Sequence, residues 1–309
     1  MQFELPQEYE FGSLEWLSRQ MMEGFVTGLH KSPFHGFSVE FSEHKIFNPG
    51  ESTRHIDWKL YAKTDRLYTK KYEEETNLKC RILIDTSGSM LYPWRSEVNP
   101  RNPNKLQFSI LSAAMLMQLM RRQRDAIALT LFDENTHFES QMASTQRHHR
   151  FLMKEMESWL MMTDQDRPAA NLPQTLHRIA ETQARRSLII VFSDFFCENA
   201  EQEKALIDAL QHLTYNRHEV LLYQIADHNT EWSFEFGTEP YRMIGLEGEG
   251  EIKLSPEEVK NAYLNASNRF RNEFFSQTLK LGIDAVEADI QTDYRKVLQK
   301  LLVKRQKIR

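Results

Sequence analysis

Two aspartates stand where short apolar runs stop. Arg81-Ile82-Leu83-Ile84 leads into Asp85, and Ser187-Leu188-Ile189-Ile190-Val191-Phe192 leads into Ser193-Asp194. Asp85 opens the loop Asp85-Thr86-Ser87-Gly88-Ser89, whose two serine hydroxyls lie two residues apart, with Gly88 permitting the tight turn that aims both inward. Carboxylate and hydroxyl oxygens are hard ligands, suited to Mg²⁺ or Mn²⁺ and poorly matched to zinc or copper. If the two runs are neighbouring strands of a parallel sheet, both carboxylates face the crevice beyond the strands' carboxyl ends, where such sheets collect ligands. Asp85, Ser87, Ser89 and Asp194 are therefore candidate metal ligands. The alternative is a vestigial capping loop, since Asp and Ser routinely start helices.

The elements around these residues alternate. Leu14, Leu17, Met21, Phe25 and Leu29 recur at helical spacing; Val39 and Phe41 alternate as in a strand; and Asn48-Pro49-Gly50 signals a turn. Residues 1–76 thus read as a helix with extended segments. Beyond them the apolar runs at Asp85 and Asp194 are joined by runs at Ala126–Phe132 and Glu219–Ile225, with Thr136–Glu139 as an edge partner and a last strand at Ile283–Val286. Amphipathic helices separate them: one from Lys105 to Arg124, others marked by Leu152-Met156-Trp159, Leu172-Leu176-Ile179, Leu206-Ala209-Leu213 and Val259-Tyr263-Phe270, and a terminal one by Tyr294-Val297-Leu301. The pattern predicts an α/β fold, doubly wound on a mainly parallel sheet, over residues 77–309. A glycine-rich stretch at 232–254 interrupts it as a β-rich excursion.

Composition narrows the function classes. With 309 residues, 40% hydrophobic, the chain can bury a large core, while a net charge of −5 gives no basic face for nucleic acid. The N-terminus carries no secretory signal and no apolar stretch is long enough to span a membrane, so the expected location is cytoplasmic. Cys80 and Cys197 lack any metal or disulfide spacing and are expected to be buried.

The Asp85-x-Ser87-x-Ser89 loop with Asp194 resembles the metal-ion-dependent adhesion site of von Willebrand factor A domains. Gly28-Leu29-His30-Lys31-Ser32, Gly36-Phe37-Ser38-Val39-Glu40-Phe41, Pro49-Gly50-Glu51-Ser52-Thr53-Arg54-His55-Ile56-Asp57-Trp58 and Glu73-Glu74-Glu75-Thr76, in that order before Asp85, further resemble the bacterial A-domain family of unknown function number 58. That resemblance implies a von Willebrand factor A-type fold. It also implies Mg²⁺ or Mn²⁺ on the four residues, and a chaperone-like adaptor working with a MoxR-type AAA+ ATPase and a client protein bearing an acidic ligand residue. The family's third loop normally supplies a threonine; the matching stretch Arg167-Pro168-Ala169-Ala170-Asn171-Leu172 holds Ala170 there. Asn171 or Asp166 are the possible substitute ligands.

No enzyme is expected. A phosphoryl-transfer enzyme of the haloacid dehalogenase type needs a second aspartate where Ser87 stands, and neither a G-x-S-x-G elbow nor a phosphate loop is present. The remaining alternative is a scaffold with a vestigial metal site that binds its partner through residues 1–76. Arg54, Asp57 and Trp58 are expected to anchor that segment, with Trp58 in a core. The acidic run Glu73-Glu74-Glu75 reads as a solvated face, and the adjacent His148 and His149 as surface residues.

Overall fold

Each continuous apolar run becomes an inner strand, buried on both faces. The computed structural model describes residues 13–29, 43–46, 58–71, 78–95, 97–162, 167–197, 199–248, 250–292 and 294–308. Val39, Phe41, the turn at Asn48-Pro49-Gly50, Arg54, Asp57, the acidic run at Glu73-Glu74-Glu75 and Asp166 lie outside these residues. Six strands, β3 (Lys79–Asp85), β4 (Ala126–Phe132), β5 (Thr136–Glu139), β6 (Leu188–Ser193), β7 (Glu219–Ala226) and β10 (Asp284–Asp289), form one sheet in the order β10-β7-β6-β3-β4-β5. All pairs are parallel except β4 with β5, the expected edge partner.

Helices cover both faces. On one side Leu83, Ile189, Val191, Val220 and Leu222 pack with α5 (Leu172–Thr182), α6 (Ala200–Tyr215) and Phe274 of α7 (Pro256–Lys280). On the other lie α3 (Lys105–Arg122), α4 (Gln146–Leu160) and α8 (Arg295–Ile308), where the Tyr223 hydroxyl donates to Val297 O at 2.7 Å and Phe108 stacks on Tyr294. Helix α3 is buried from Lys105 to Met120, so it sits at the centre of its layer. Its start is fixed by a capping box: Gln107 N–H donates to Asn104 Oδ1 at 2.8 Å, and Asn104 N–H to Gln107 Oε1 at 3.2 Å.

The chain divides into two compact units, residues through Phe25 together with Leu78–Arg309, and Val26–Asn77. Helix α1 (Leu14–Leu29) crosses that division. Its N-terminal half belongs with the sheet: Leu14, Leu17 and Met21 are fully buried, and Glu15 accepts from Arg121 of α3 at 3.2 Å. In the second unit β1 (Glu43–Ile46) pairs antiparallel with β2 (Tyr68–Lys71), and α2 (Trp58–Thr64) lies between them in sequence. Trp58 is not a core residue: it is 62% exposed at the start of a seven-residue helix, with only Tyr61 edge-on to it among the described rings. The excursion folds as a hairpin of β8 (Tyr241–Ile244) and β9 (Glu251–Leu254). The upper part of α7 is less buried than its apolar spacing predicts; Tyr263 is exposed, and Phe274 is its fully buried anchor. Both cysteines are free, Cys80 buried and Cys197 half-buried. No helix among the described residues is long and apolar enough to cross a membrane.

His149 departs from its sequence reading. It is buried under α3 and α4 rather than at the surface, because residue 149 falls on the same inward stripe as Leu152 and Met156. Burial, reinforced by the nearby Arg121 charge, lowers its pKa to about 4. A folded-state value below the unfolded one means that the unfolded chain binds the proton more tightly. Stability is then complete above the unfolded value and is lost as pH falls toward the folded one. About 1 kcal/mol should disappear between pH 7 and 5.5. Chemical denaturation at the two pH values, compared with His149→Gln, measures this; an equal loss in the variant would assign it elsewhere.

Candidate metal centre

The strand order reverses between β3 and β6, so the chain leaves β3 toward β4 and later returns on its other side at β6. That is where side loops diverge and a crevice opens. Asp85 is the last residue of β3 and Asp194 follows the last residue of β6, which places both at this opening.

The four expected ligands come together as one hydrogen-bonded run. Ser87 donates to Asp85 Oδ1 through its N–H at 2.9 Å and its hydroxyl at 2.7 Å. Ser87 Oγ lies 3.2 Å from Ser89 Oγ, and Ser89 bonds in turn to the Asp194 carboxylate. The second Asp85 oxygen accepts from Ser193 Oγ at 2.6 Å. Thr86, between them, turns the other way and bonds Phe132 O, tying the loop to β4. Two carboxylates and two hydroxyls make an all-oxygen donor set; among the described residues no group of three or more His, Cys, Asp or Glu side chains converges on a metal position.

The two carboxylates differ electrically. Burial raises Asp85, the Asp194 charge raises it further, and the donors from Ser193 and Ser87 offset only part, leaving it at about 7. Asp194 is also pushed up by burial, but the Lys105 ammonium outweighs this and holds it below the usual carboxylate range. Lys105 is buried, its Nζ 2.9 Å from Asp194 Oδ2 and 2.7 Å from Glu231 Oε1. Burial lowers its pKa, yet the two carboxylates more than compensate, so it stays a cation.

Gly88 is required here by close approach. A Cβ on it would lie 2.2 Å from Leu246 O and 3.0 Å from Arg167 O, both backbone atoms. The excursion therefore reaches the Asp85–Ser89 loop: Leu246 O sits on Gly88, and Glu247 Oε1 accepts from Ser89 N–H at 3.0 Å.

Among the described residues of the third loop, from Arg167 to Leu172, no side chain joins the run. Ala170 packs against the core cluster of α5 and α6. Asn171 is turned away, its side chain capping α5 by accepting from Gln174 N–H, while its own N–H donates to Asp133 O. Local capping geometry satisfies that side chain better than a reach toward Asp85 would. The loop is held by Arg167, whose Nη2 donates to Asp133 Oδ2 at 2.7 Å beneath Trp159, with His137 Nε2 2.6 Å from the same oxygen. Burial raises Asp133, but the Asn135 amide, Arg167 and His137 together bring it below its usual value.

Sequence reasoning missed Lys105, Glu231, Glu247, Ser193 and the Asp133–Arg167 pair as parts of this region. Only Lys105 carried a local signal: a lysine in the first turn of a buried helix opposes the helix dipole and needs a specific anionic partner. The others reach the crevice by tertiary contact alone.

Fold and site together define an α/β protein with an oxygen-lined crevice at the switch point of a mainly parallel six-stranded sheet. The chain belongs to the family described as "Protein of unknown function DUF58", which matches residues 43–273 and so includes every candidate ligand. An uncharacterized protein of Mycobacterium tuberculosis (strain ATCC 25618 / H37Rv) is 22% identical over 219 residues, 70% of this chain and 63% of that protein. A counterpart in Mycobacterium bovis (strain ATCC BAA-935 / AF2122/97) matches to the same extent. The chain thus spans 63% of the length of these relatives. Among solved structures, the conserved hypothetical protein BatB from Bacteroides thetaiotaomicron aligns with a TM-score of 0.43 and 14% identity, over 74% of this chain and 99% of that one. An uncharacterized membrane spanning protein from Vibrio fischeri aligns over the same shares with a TM-score of 0.20 and 13% identity.

Proposed function

We propose that the crevice holds a hard divalent cation, Mg²⁺ or Mn²⁺, on Asp85, Ser87, Ser89 and Asp194 and presents it to an acidic side chain of a protein partner. The observation that carries this reading is the convergence of those four oxygen-bearing side chains at the switch point. The donor set fits such an ion. Buried Asp85, raised to about 7 beside a second carboxylate, is a group that an added cation would relieve. Lys105 already compensates Asp194, so a dication held by Asp85 and two neutral hydroxyls keeps positive charge for an incoming carboxylate. Phe196, 70% exposed two residues beyond Asp194, supplies an apolar contact beside the ion for a partner to cover.

On this reading the protein works by binding rather than turnover, with the chemistry of a von Willebrand factor A adhesion site. The partner is a MoxR-type AAA+ ATPase together with its client, and the protein acts in the cytoplasm as their adaptor. A second reading, a scaffold whose metal site is vestigial, is favoured by one observation: Lys105 places a permanent cation against Asp194.

Titration separates the two. Chelator-stripped protein should bind Mg²⁺ or Mn²⁺ saturably, with a rise in thermal midpoint worth about 2.7 kcal/mol at a hundredfold excess over Kd. Asp85→Ala should abolish both. Absence of binding and of any midpoint shift at millimolar metal would leave the scaffold reading.

A further inference from the structure

Helices α5 and α6 share one apolar cluster, to which Leu176, Ile179 and Ala180 of the first and Leu206, Ala209 and Leu213 of the second contribute. Asn216, the C-cap of α6, donates from Nδ2 to Ala180 O at 2.8 Å, which fixes how far one helix is shifted along the other. Where this seam meets solvent, His177 of α5 and His212 of α6 bring their Nδ1 atoms to 3.1 Å, with ring centroids 5.3 Å apart and both residues half-buried. Two imidazole nitrogens at that separation cannot both carry a proton, and two bare lone pairs would repel. Either one ring donates to the other, or a cation stands between them.

The spacing suits a metal ion. Bonds of about 2.1 Å to each nitrogen, the usual zinc–imidazole length, would subtend about 95° at the ion, between an octahedral and a tetrahedral angle. Imidazole nitrogen favours Zn²⁺, Cu²⁺ or Ni²⁺, whereas the all-oxygen crevice at Asp85 suits harder ions. The nearby His218 is engaged elsewhere, its Nδ1 accepting from Ser187 N–H at 3.4 Å. We propose that His177 and His212 form a second, open metal site, in which a borderline transition-metal dication bridges the two Nδ1 atoms and staples α5 to α6, with solvent completing its coordination. On binding, the proton shared between the rings moves through solvent to an Nε2, so both imidazoles stay neutral and each presents a lone pair. The site is independent of the ion proposed at Asp85. It joins the helix that follows the third loop to the helix that follows Asp194.

The test is a Zn²⁺ titration of the chelator-stripped full chain, in wild type, His177→Asn, His212→Asn and Asp85→Ala, read by thermal midpoint and by imidazole ¹⁵N NMR. Asn sets an amide near the place of Nδ1, so the remaining histidine keeps a hydrogen-bond partner while the second imidazole ligand is lost. Saturable binding is expected in wild type and in Asp85→Ala. In each Asn variant it should be weaker by about a hundredfold, because a two-point chelate becomes a single contact. In wild type the Nδ1 resonances of His177 and His212 should shift together as Zn²⁺ is added. Wild-type affinity in either Asn variant would place the ion elsewhere and overturn the proposal. So would loss of binding in Asp85→Ala, which would assign the ion to the crevice. An absence of saturable binding in wild type would leave a proton-sharing pair only. If an Asn variant fails to fold, the wild-type ¹⁵N spectrum decides: shifts at other histidines, or at none, sink the inference.

Discussion

Replacing Lys105 with methionine should lower the free energy of unfolding by about 2–3 kcal/mol, because it leaves the half-buried Asp194 and Glu231 without their counter-charge. The Lys105 side chain is 2% exposed and its ammonium touches both Asp194 and Glu231. Methionine keeps most of the aliphatic volume, which confines the change to the charge. Urea denaturation of the variant gives the number. Adding Asp194→Asn and Glu231→Gln to Lys105→Met should recover a large part of the loss, since the penalty lies in the orphaned anions rather than in the missing salt bridge. A single variant that costs less than about 1 kcal/mol, within the range of exposed pairs, would show that the crevice is solvated and the cluster weak.

Arg167→Met should cost about 2–3 kcal/mol. Asp133, 1% exposed, would lose its guanidinium partner and keep only His137 and the Asn135 amide. The cation–π contact with Trp159, 4.7 Å from guanidinium to ring centroid, would go as well. This effect should be smaller than that at Lys105 because one carboxylate rather than two loses its cation. It also has a structural consequence, since Arg167 O lies against Gly88. Loosening this loop should speed amide exchange in Ser87–Ser89 while leaving β7 unchanged. Asp133→Asn in the same background should reduce the cost; an undiminished loss would mean that the Trp159 packing, and not the buried charge, dominates.

The four residues of the oxygen run were legible because their placement follows from local rules. An apolar run that stops at an aspartate is a buried strand ending at the open edge of a parallel sheet, and two such runs place two carboxylates on one side. The inner strands, the edge partner at Thr136–Glu139 and the covering helices followed from periodicity in the same way. Periodicity was a weaker guide where a helix meets few neighbours: α7 repeats its apolar residues along its length, but Tyr263 stays exposed.

Sequence alone determined the strand-and-helix alternation and the chemistry available at Asp85, Ser87, Ser89 and Asp194, because those depend on residues close in the chain. Tertiary structure decided what surrounds them. Lys105 becomes the counter-charge of Asp194 only because α3 starts beside the end of β6, 89 residues further on. Glu247 reaches Ser89 across 158 residues. Asn171, a candidate ligand by its place in the chain, is instead consumed by the cap of α5. His149 is buried because of the face α4 turns toward α3. Charge compensation in a low-dielectric crevice is set by separation in space, and no local pattern encodes which distant side chain supplies it.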